Sequence, residues 1–589
     1  MGTSAVGENE SGWGGGLTDH RATFWRRNRW ILWVAGLFAL VVATLAVVVA
    51  FALHHAEPFI RAQIVSSLEE RFHARVELDS FHVSLVHGLR AQGEGLRIWA
   101  PRSALTEDAS SDASGGANQE PLIRVAEFRF RAPLHYKRGA PIRISVVELV
   151  GLDIRVPPRS RFAHDKTKDA EVAKESPNPG SDLVSVRVDS VECLGTRLTL
   201  ETDKPGRLPI EIAISRLKLT GFRNTGANDP GDKGEPVVDY EAELTNPKPV
   251  GRVNTSGTFG PWHVEDPGES SVTGDYVFSH ADLGSFKELA GTLSSTGHYE
   301  GTLRDLTVDG ETDTPDFQLR PFNNPQPLHT KFHAKVDGTN GDTWLQPVEA
   351  TLGHSHFTAQ GKIVRVADPD KGGGPPVSKG HDIALVVNVD RGRIEDFLRL
   401  ASHSNPSVLT GAVTTKATLH IPPGPEHVMK RLQLKGSFNL DDAVFTSEKI
   451  QDRVRELSFR GLGRPKDMKA PDQQTVDSTM SGDFQMADGV ITLPVLKYSV
   501  PGAAIQLKGT YDVEGGAIDF AGNAALQATV SKMVGGWKGF LLKPADLFFK
   551  KDGAGTEVAI HVTGTREDPK FGVDLGMMKK TSPETPGQK

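Results

Sequence analysis

The sequence predicts a mainly β protein, repetitive and mostly antiparallel, behind one N-terminal transmembrane helix and a short amphipathic helix. Three observations carry this reading: a 24-residue apolar stretch from Trp30 to Leu53, a two-residue hydrophobic alternation over most of the remaining chain, and internal repeats that align strand on strand.

Residues 1–29 begin Gly/Ser-rich and read as a disordered cytoplasmic tail. At 1.5 Å per residue, Trp30 to Leu53 spans a ~30 Å hydrocarbon core with length to spare. Arg21, Arg26, Arg27 and Arg29 precede it, and no fixed positive charge follows before Arg61. That asymmetry sets the topology, with the N-terminus cytoplasmic and the bulk of the chain on the far side. Trp25, Trp30 and Trp33 lie at the cytoplasmic boundary, where amphipathic rings are favoured. Ala50-Phe51-Ala52 offers an alternative, cleavage after Ala52. Signal peptides, however, have apolar cores of roughly 7–15 residues. Both readings deliver the body to the same compartment.

Glu57-Pro58-Phe59 opens the amphipathic helix, with proline in a favourable first-turn position. Phe59 leads into Ile60, Ile64, Leu68 and Phe72, which recur every four residues with Val65 beside them. They form one apolar face, expected to cover one end of the following domain beside the membrane.

From Ala74 the period falls to two. Val76/Leu78, Phe81/Val83/Leu85, Ile123/Val125, Phe128/Phe130 and Ile142/Ile144 alternate with polar residues. So do Val186/Val188, Leu217/Leu219, Phe332/Ala334/Val336, Leu432/Leu434 and Ile505/Leu507. Short alternating runs punctuated by Gly, Asn, Asp and Pro are antiparallel strands with one apolar and one polar face.

Three repeats sharpen the picture. Residues 145–156 align without gaps on 189–200, sharing Val-Glu-apolar-apolar-Gly-x-x-apolar-x-apolar and placing Cys193 where Leu149 stands. Each copy reads as strand, glycine kink, strand. Asp282-Leu283, Phe286 and Leu289 before Thr296-Gly297 match Arg393-Ile394, Phe397 and Leu400 before Thr410-Gly411. Each of those is a short helix leading into a strand. Leu345-Gln-Pro-Val348 with Gly361 matches Leu493-Pro-Val495 with Gly509.

The expected organisation is an N-terminal β-domain at 57–222 with insertions at 102–120 and 158–182. A middle β-repeat region at 238–365, a second at 382–463, a C-terminal β-region at 476–575 and a tail at 576–589 follow. Linkers are expected at about 102–120, 158–182, 224–237, 366–381 and 464–475, and such insertions cost little loop entropy.

Composition narrows the function. Hydrophobic content of 38%, with 61 Gly and 37 Pro, describes a folded, turn-rich chain. The net charge of −7 is dispersed, with no basic stripe, which argues against nucleic acid as a partner. Cys193 is the lone cysteine and reads as a small apolar strand residue. No nucleophile elbow, phosphate loop, dinucleotide turn or zinc spacing occurs. Asp337 to Asp342 resembles the start of a calcium loop, but Val348 stands where a bidentate Glu is required, so a hairpin turn is expected. His354 and His356 could chelate, but no third ligand is evident nearby. No catalytic, cofactor-binding or metal residue is assigned, and a non-enzymatic role is expected.

The layout of tail, span, amphipathic helix, Ala74-Arg-Val-Glu-Leu-Asp-Ser-Phe-His-Val-Ser-Leu85 and Gly-Glu-Gly-Leu-Arg-Ile98 resembles the AsmA-like (AsmA/TamB-type) family of Gram-negative-type bacteria. Leu434 to Phe445, Ser481 to Leu493 and Gly553 through Phe571 are similar to that family's strand-turn-strand phrases and C-terminal ending. The insertions at 102–120 and 158–182 have no counterpart in that pattern. The resemblance implies inner-membrane anchoring, a periplasmic body and a long curved sheet forming an open apolar groove. It further implies a link to phospholipid movement and outer-membrane biogenesis, with no cofactor and no catalytic residues. Inner-membrane lipids, phospholipid cargo and envelope proteins are the partners it implies.

A one-sided apolar sheet must cover its face, either by packing as a sandwich or by leaving a groove for acyl chains. Candidate inward residues are Val147, Leu149, Ile154, Val191 and Leu198. The alternatives to lipid conduction are a non-enzymatic factor assisting outer-membrane protein insertion and a periplasmic enzyme on a β-scaffold. Oligomeric state is not legible in the sequence.

Overall fold

The computed structural model describes residues 61–62, 64–66, 68–69, 74–84, 89–99, 120–132, 142–157, 186–202, 204–225, 235–263, 266–368, 377–402, 404–465, 476–529, 532 and 555–574. Trp30 to Leu53, the arginines Arg26, Arg27 and Arg29, and Phe59, Ile60 and Phe72 lie outside them. Among the described residues no helix is long and apolar enough to cross a membrane.

The alternating runs form one 25-stranded sheet. In chain order its strands are β1 (Val76–Glu77), β2 (Ser80–Ser84), β3 (Leu89–Ile98), β4 (Ile123–Ala132), β5 (Ile142–Val156), β6 (Val186–Leu200), β7 (Ile210–Thr225) and β8 (Glu235–Pro247). Next come β9 (Val250–Phe259), β10 (Ser271–Asp282), β11 (Leu289–Ala290), β12 (Thr292–Thr302), β13 (Asp305–Leu319), β14 (Gln326–Val336), β15 (Thr343–Leu352), β16 (Ser355–Asp368) and β17 (Val377–Arg393). The last are β18 (Leu409–Ile421), β19 (Gln433–Phe445), β20 (Thr479–Ala487), β21 (Val490–Val500), β22 (Ala503–Asp512), β23 (Ala517–Leu526), β24 (Thr556–Thr565) and β25 (Pro569–Asp574). Three short helices interrupt them: α1 (Ile394–Leu400), α2 (Val428–Arg431) and α3 (Glu448–Gly461). The sheet is curved into a half-barrel.

Sequential strands pair as hairpins, and local chemistry explains the turns. Asp488 and Gly489 join β20 to β21 with φ of 51° and 79°. Positive φ at both central residues is what a twisted two-residue hairpin requires. Strands run further than expected at several linkers: β7 reaches Thr225, β8 starts at Glu235, β16 reaches Asp368 and β17 starts at Val377.

Among the described strands one pairing is parallel. β5 and β6 run side by side with Val147 opposite Val191, Leu149 opposite Cys193 and Val156 opposite Leu200. This register is the same alignment that the first repeat gives from sequence. Parallel neighbours need a crossover of a dozen or more residues, which accounts for the unmatched insertion at 158–182. Gly151 and Gly195, the repeat's kink glycines, share left-handed backbone at φ 65° and 68°.

The third repeat also has a structural basis. Leu345 pairs with Gly361 and Leu493 with Gly509, and in both hairpins a bulge follows the leucine. The second repeat is looser: Leu283–Ser285 forms a 3₁₀ turn where Ile394–Leu400 forms an α-helix.

Apolar packing gathers in separate clusters. Leu78, Phe81, Val125, Phe128, Leu152 and Cys193 form one, against which Ile64 and Val65 of the N-terminal helical segment pack. Leu68 and Val65 cover Ala74, Val76 and Ile98. Val454 and Leu457 of α3 cover Tyr498, Val500, Ala503 and Leu526. Ile394 and Phe397 of α1 cover Val389, Val413 and Leu440. Asp396, 2% exposed, ties α1 to the β15–β16 turn by accepting from the His354 amide at 2.9 Å and Ser355 Oγ at 2.7 Å.

The kink glycines give a paired prediction. A Cβ at Gly151 would lie 2.9 Å from Ala126 Cβ, whereas at Gly195 nothing lies within 4 Å. Gly195→Ala therefore carries only the left-handed penalty of about 1–2 kcal/mol, and Gly151→Ala adds a steric clash on top. Urea unfolding should rank Gly151→Ala as the less stable variant; equal stabilities would contradict this geometry.

Candidate functional site

Successive registers thread one residue of each strand into a single row across the sheet. The row begins Val83, Ala91, Phe130, Val147, Val191, Leu219 and Tyr240. It continues through Gly257, Gly274, Tyr299, Val308, Ala334 and Leu345. It runs on through Gly361, Leu385, Leu419, Leu434, Met486 and Ile491, and ends at Tyr511, Ile518, Gly564 and Pro569. From β2 to β25 only β11 is missed, and no member carries a charge. At ~4.8 Å per strand a sheet of this size is roughly 100–120 Å long.

A second row lies beside the first: Phe81, Gly93, Phe128, Leu149, Cys193, Leu217 and Ala242. It passes on to Thr255, Tyr276, Gly297, Gly310 and Phe332. The reverse face is more polar, although Val146, Leu194, Val277, Trp344 and Val386 stand exposed on it. Asp275, His298, Asp309 and His333 form a cross-strand ladder there, with His298 2.8 Å from Asp275 and His333 2.7 Å from Asp309.

The apolar face is not packed shut by a second sheet. Val147, Val191, Leu219, Val308, Leu345, Leu385, Leu419, Leu434, Ile491 and Ile518 all remain partly exposed. A filled sandwich would bury them, so the curved sheet could form a trough on this face.

The middle of the trough has a distinct lining. A Cβ on Gly274 would meet Tyr240 Oη at 2.5 Å and Tyr299 Oη at 2.9 Å. The two rings therefore converge over the glycines between them, and their hydroxyls hydrogen-bond. Burial pushes the Tyr240 hydroxyl far above its usual range, with the contact to Tyr299 adding to the effect. Burial raises Tyr276 too, so both phenols are neutral.

Among the described residues, the two rims of the trough, where the strands turn, meet at two places. The β6–β7 turn reaches the far rim at the β14–β15 turn and the end of β16. Lys204 hydrogen-bonds Asp337, and Arg207 Nε donates to Asp342 at 3.0 Å. The Ala367 amide donates to the Gly206 carbonyl at 2.9 Å. Further along, the Val428 amide of α2 donates to Glu288 at 3.0 Å. There Phe322 and Leu319 from the β13–β14 rim join Met429, Leu432, Met486 and Val513 of the opposite rim.

The residues expected to face inward are on this apolar side. Val147 and Val191 belong to the first row and Leu149 to the second. Ile154 and Leu198 pair in a third row with Ile123 and Ile212. Leu149, Ile154 and Val191 pack against the cluster that Ile64 and Val65 cover. Sequence reasoning placed candidates only in β5 and β6. It missed Leu345, Leu385, Leu419 and Leu434 as lining residues, although their alternation phase carried the signal.

The remaining candidates resolve simply. Asp337 to Asp342 is a hairpin turn to which Lys204 and Arg207 bond. His354 sits in the β15–β16 turn, while the exposed His356 contacts Thr351 at 3.0 Å. Among the described residues no metal-holding cluster occurs. No family model, curated protein or solved structure matches the chain.

Two predictions follow from buried groups. Cys193 is fully buried, and burial pushes its thiol up to about 11. It should stay unmodified by maleimide at neutral pH in native protein and react on denaturation; rapid native labelling would contradict its place in the strand. At Asp337, burial alone would raise the carboxyl, but hydrogen bonds from Lys204 and Thr339 outweigh it and hold it below the usual carboxylate value. A depressed folded pKa stabilises above the unfolded value of 3.8, and that contribution is lost as pH falls through the folded one. Lys204→Ala should therefore cost about 1.5–3 kcal/mol near neutrality. The gap to wild type in urea unfolding should close below pH ~4; a gap independent of pH would refute the pairing.

Proposed function

We propose that this protein is a membrane-anchored, periplasmic β-groove protein of the AsmA-like kind, which binds phospholipid acyl chains in its trough and lets them pass along it. One observation carries the reading: an uncharged row, most of whose large apolar members are still partly open to solvent, runs from β2 to β25 with only β11 passed over. Each methylene taken from water gains roughly 0.8 kcal/mol, so a ~16-carbon chain is held firmly before the cost of ordering it. Because neighbouring strands offer similar apolar contacts, moving by one strand changes that energy little. Passage needs no bond chemistry, which supports a non-enzymatic role in envelope biogenesis. The Trp30–Leu53 span would hold one end of the trough beside the inner membrane.

The test is photo-crosslinking with radiolabelled lipids in cells. A photoreactive residue at Leu385 or Leu419 should capture lipid, and one at the outward neighbours Ala384 or Thr418 should not. Adding Leu385→Asp should lower capture at Leu419 by about tenfold or more, since burying an unpaired carboxylate against acyl chains is costly. Equal labelling from the two faces, or none, would end the proposal.

A further inference from the structure

The N-terminal helical segment identifies which rim of the sheet is nearer the expected membrane span. The Val76 amide donates to Glu69 at 3.3 Å, and Arg61 donates to the Leu78 carbonyl. The segment therefore runs antiparallel to β1, and its start points to the rim toward which β1 is directed. Traced through the pairings, with the parallel step at β5–β6, β7 and β9 run in the same direction as β1. The ends of β7 and β9 thus lie on the rim that the start of the segment faces. Arg61 follows Leu53 by eight residues, so the end of the span stays within ~28 Å of Arg61.

This rim carries an aromatic lip. β7 bulges between Thr220 and Arg223, which sets Gly221 and Phe222 against the single Val238. Val238 pairs with Phe259, and Phe259 with Val272. Trp262, in the β9–β10 connection, lies 5.8 Å from Phe259 between ring centres. Phe222 and Trp262 are 45% and 38% exposed. Carboxylates beside them are bonded: Asp239 by Arg223, and Asp266 and Glu269 by Arg304. Exposed rings over an apolar rim, with carboxylates already paired, match a bilayer interface, where amphipathic aromatics are favoured.

The first rim joint lies at the other end of β7. A Cβ at Gly341 would sit 3.5 Å from Ile210 Cδ1, so the β14–β15 turn adjoins the start of this strand. From Ile210 to Phe222 the strand runs twelve residues, roughly 40 Å. Trp344, just past Gly341 and 43% exposed, is held away from the aromatic lip by that length.

We propose that the β7–β10 rim is a second membrane contact, with Phe222 and Trp262 immersed in the interface of the bilayer that holds Trp30–Leu53. This inference rests on the anchoring half of the reading above and is independent of lipid passage. A span alone leaves a body free to tilt; a second contact fixes which rim meets the lipid.

The experiment reads depth by electron paramagnetic resonance. Full-length Cys193→Ala protein is reconstituted in phosphatidylethanolamine–phosphatidylglycerol vesicles. Single nitroxides are attached through Phe222→Cys, Trp262→Cys, Trp344→Cys or Val42→Cys, so each lip reporter leaves the other aromatic in place. Phe222, Trp262 and Trp344 are exposed, and labels there disturb little packing. Collision rates with oxygen and with a water-soluble nickel chelate give the depth of each label. The labels at 222 and 262 are expected about 5–10 Å into the headgroup–acyl boundary. The label at 344 is expected in water, and the label at 42 near the bilayer centre.

Nickel access at 222 and 262 equal to that at 344, with the label at 42 immersed, would overturn the inference and leave the anchored reading standing. Immersion at 344 as deep as at 262 would remove the distinction between the rims and overturn it as well. A label at 42 in water would overturn the anchored reading and this inference together.

Discussion

Register is the constraint on which the rest of this molecule depends. Side chains alternate along a strand with a period of two, so a slip of one residue sends every apolar side chain to the wrong face. Here one apolar row survives from β2 to β25 because each strand meets its neighbour in phase. Bulges are the hazard, since an extra residue inverts the phase beyond it. At Leu345/Val348 and Leu493/Leu496 the register shifts just after a leucine on the apolar side. The alternation then resumes with Val348 and Leu496 on the apolar side, paired to Ala359 and Leu507. The curvature that bulges introduce is thus obtained without breaking the row.

A sheet with one open apolar face has to be stabilised elsewhere. The molecule does this near the strand ends: Phe397 of α1 sits against Phe357 at 6.1 Å between ring centres, and α3 covers Tyr498 and Leu526. The N-terminal helical segment covers the first strands. These contacts secure the ends of the strands and leave the middle of the trough reachable. The rim joints complete the arrangement by tying one edge of the curved sheet to the other.

How much of this was legible depended on range. The first repeat revealed an actual neighbour relation, since its alignment of Leu149 on Cys193 is the observed register of β5 on β6. What it could not reveal was strand direction, because a period of two is the same read forward or backward. The parallel pairing, and with it the purpose of the 158–182 insertion, therefore stayed hidden. The helix face was visible in Ile64 and Leu68, which pack against the clusters of the first strands. The rim joints were not visible at all. Lys204 and Asp337 are far apart in the chain, and neither residue type nor spacing marks them as partners. The lining of the later strands was within reach: Leu434 falls in an alternating run and Leu345 in a repeat, and only the phase linking one strand to the next was missing.

The trough's own chemistry supports passage over capture. Its middle carries hydroxyls, which might have been expected to hold a polar headgroup. Instead their protons are placed within the wall. Thr255 Oγ1 donates to the Asp275 carbonyl at 2.8 Å, and Tyr299 shares its hydroxyl with Thr255 at 2.6 Å. Tyr276 meets Ser295, which in turn donates to the Glu311 carbonyl at 2.9 Å. Phenols kept neutral by burial and occupied by one another present ring surface to the trough, not free donors. A free donor would have made a well in which an ester or phosphate could rest, and each such well slows movement. With the hydroxyls internally satisfied, the tyrosine-lined middle and the leucine-rich strands beyond it offer a similar apolar wall. On the proposed lipid reading, direction would have to come from the two ends, because a uniform wall supplies none.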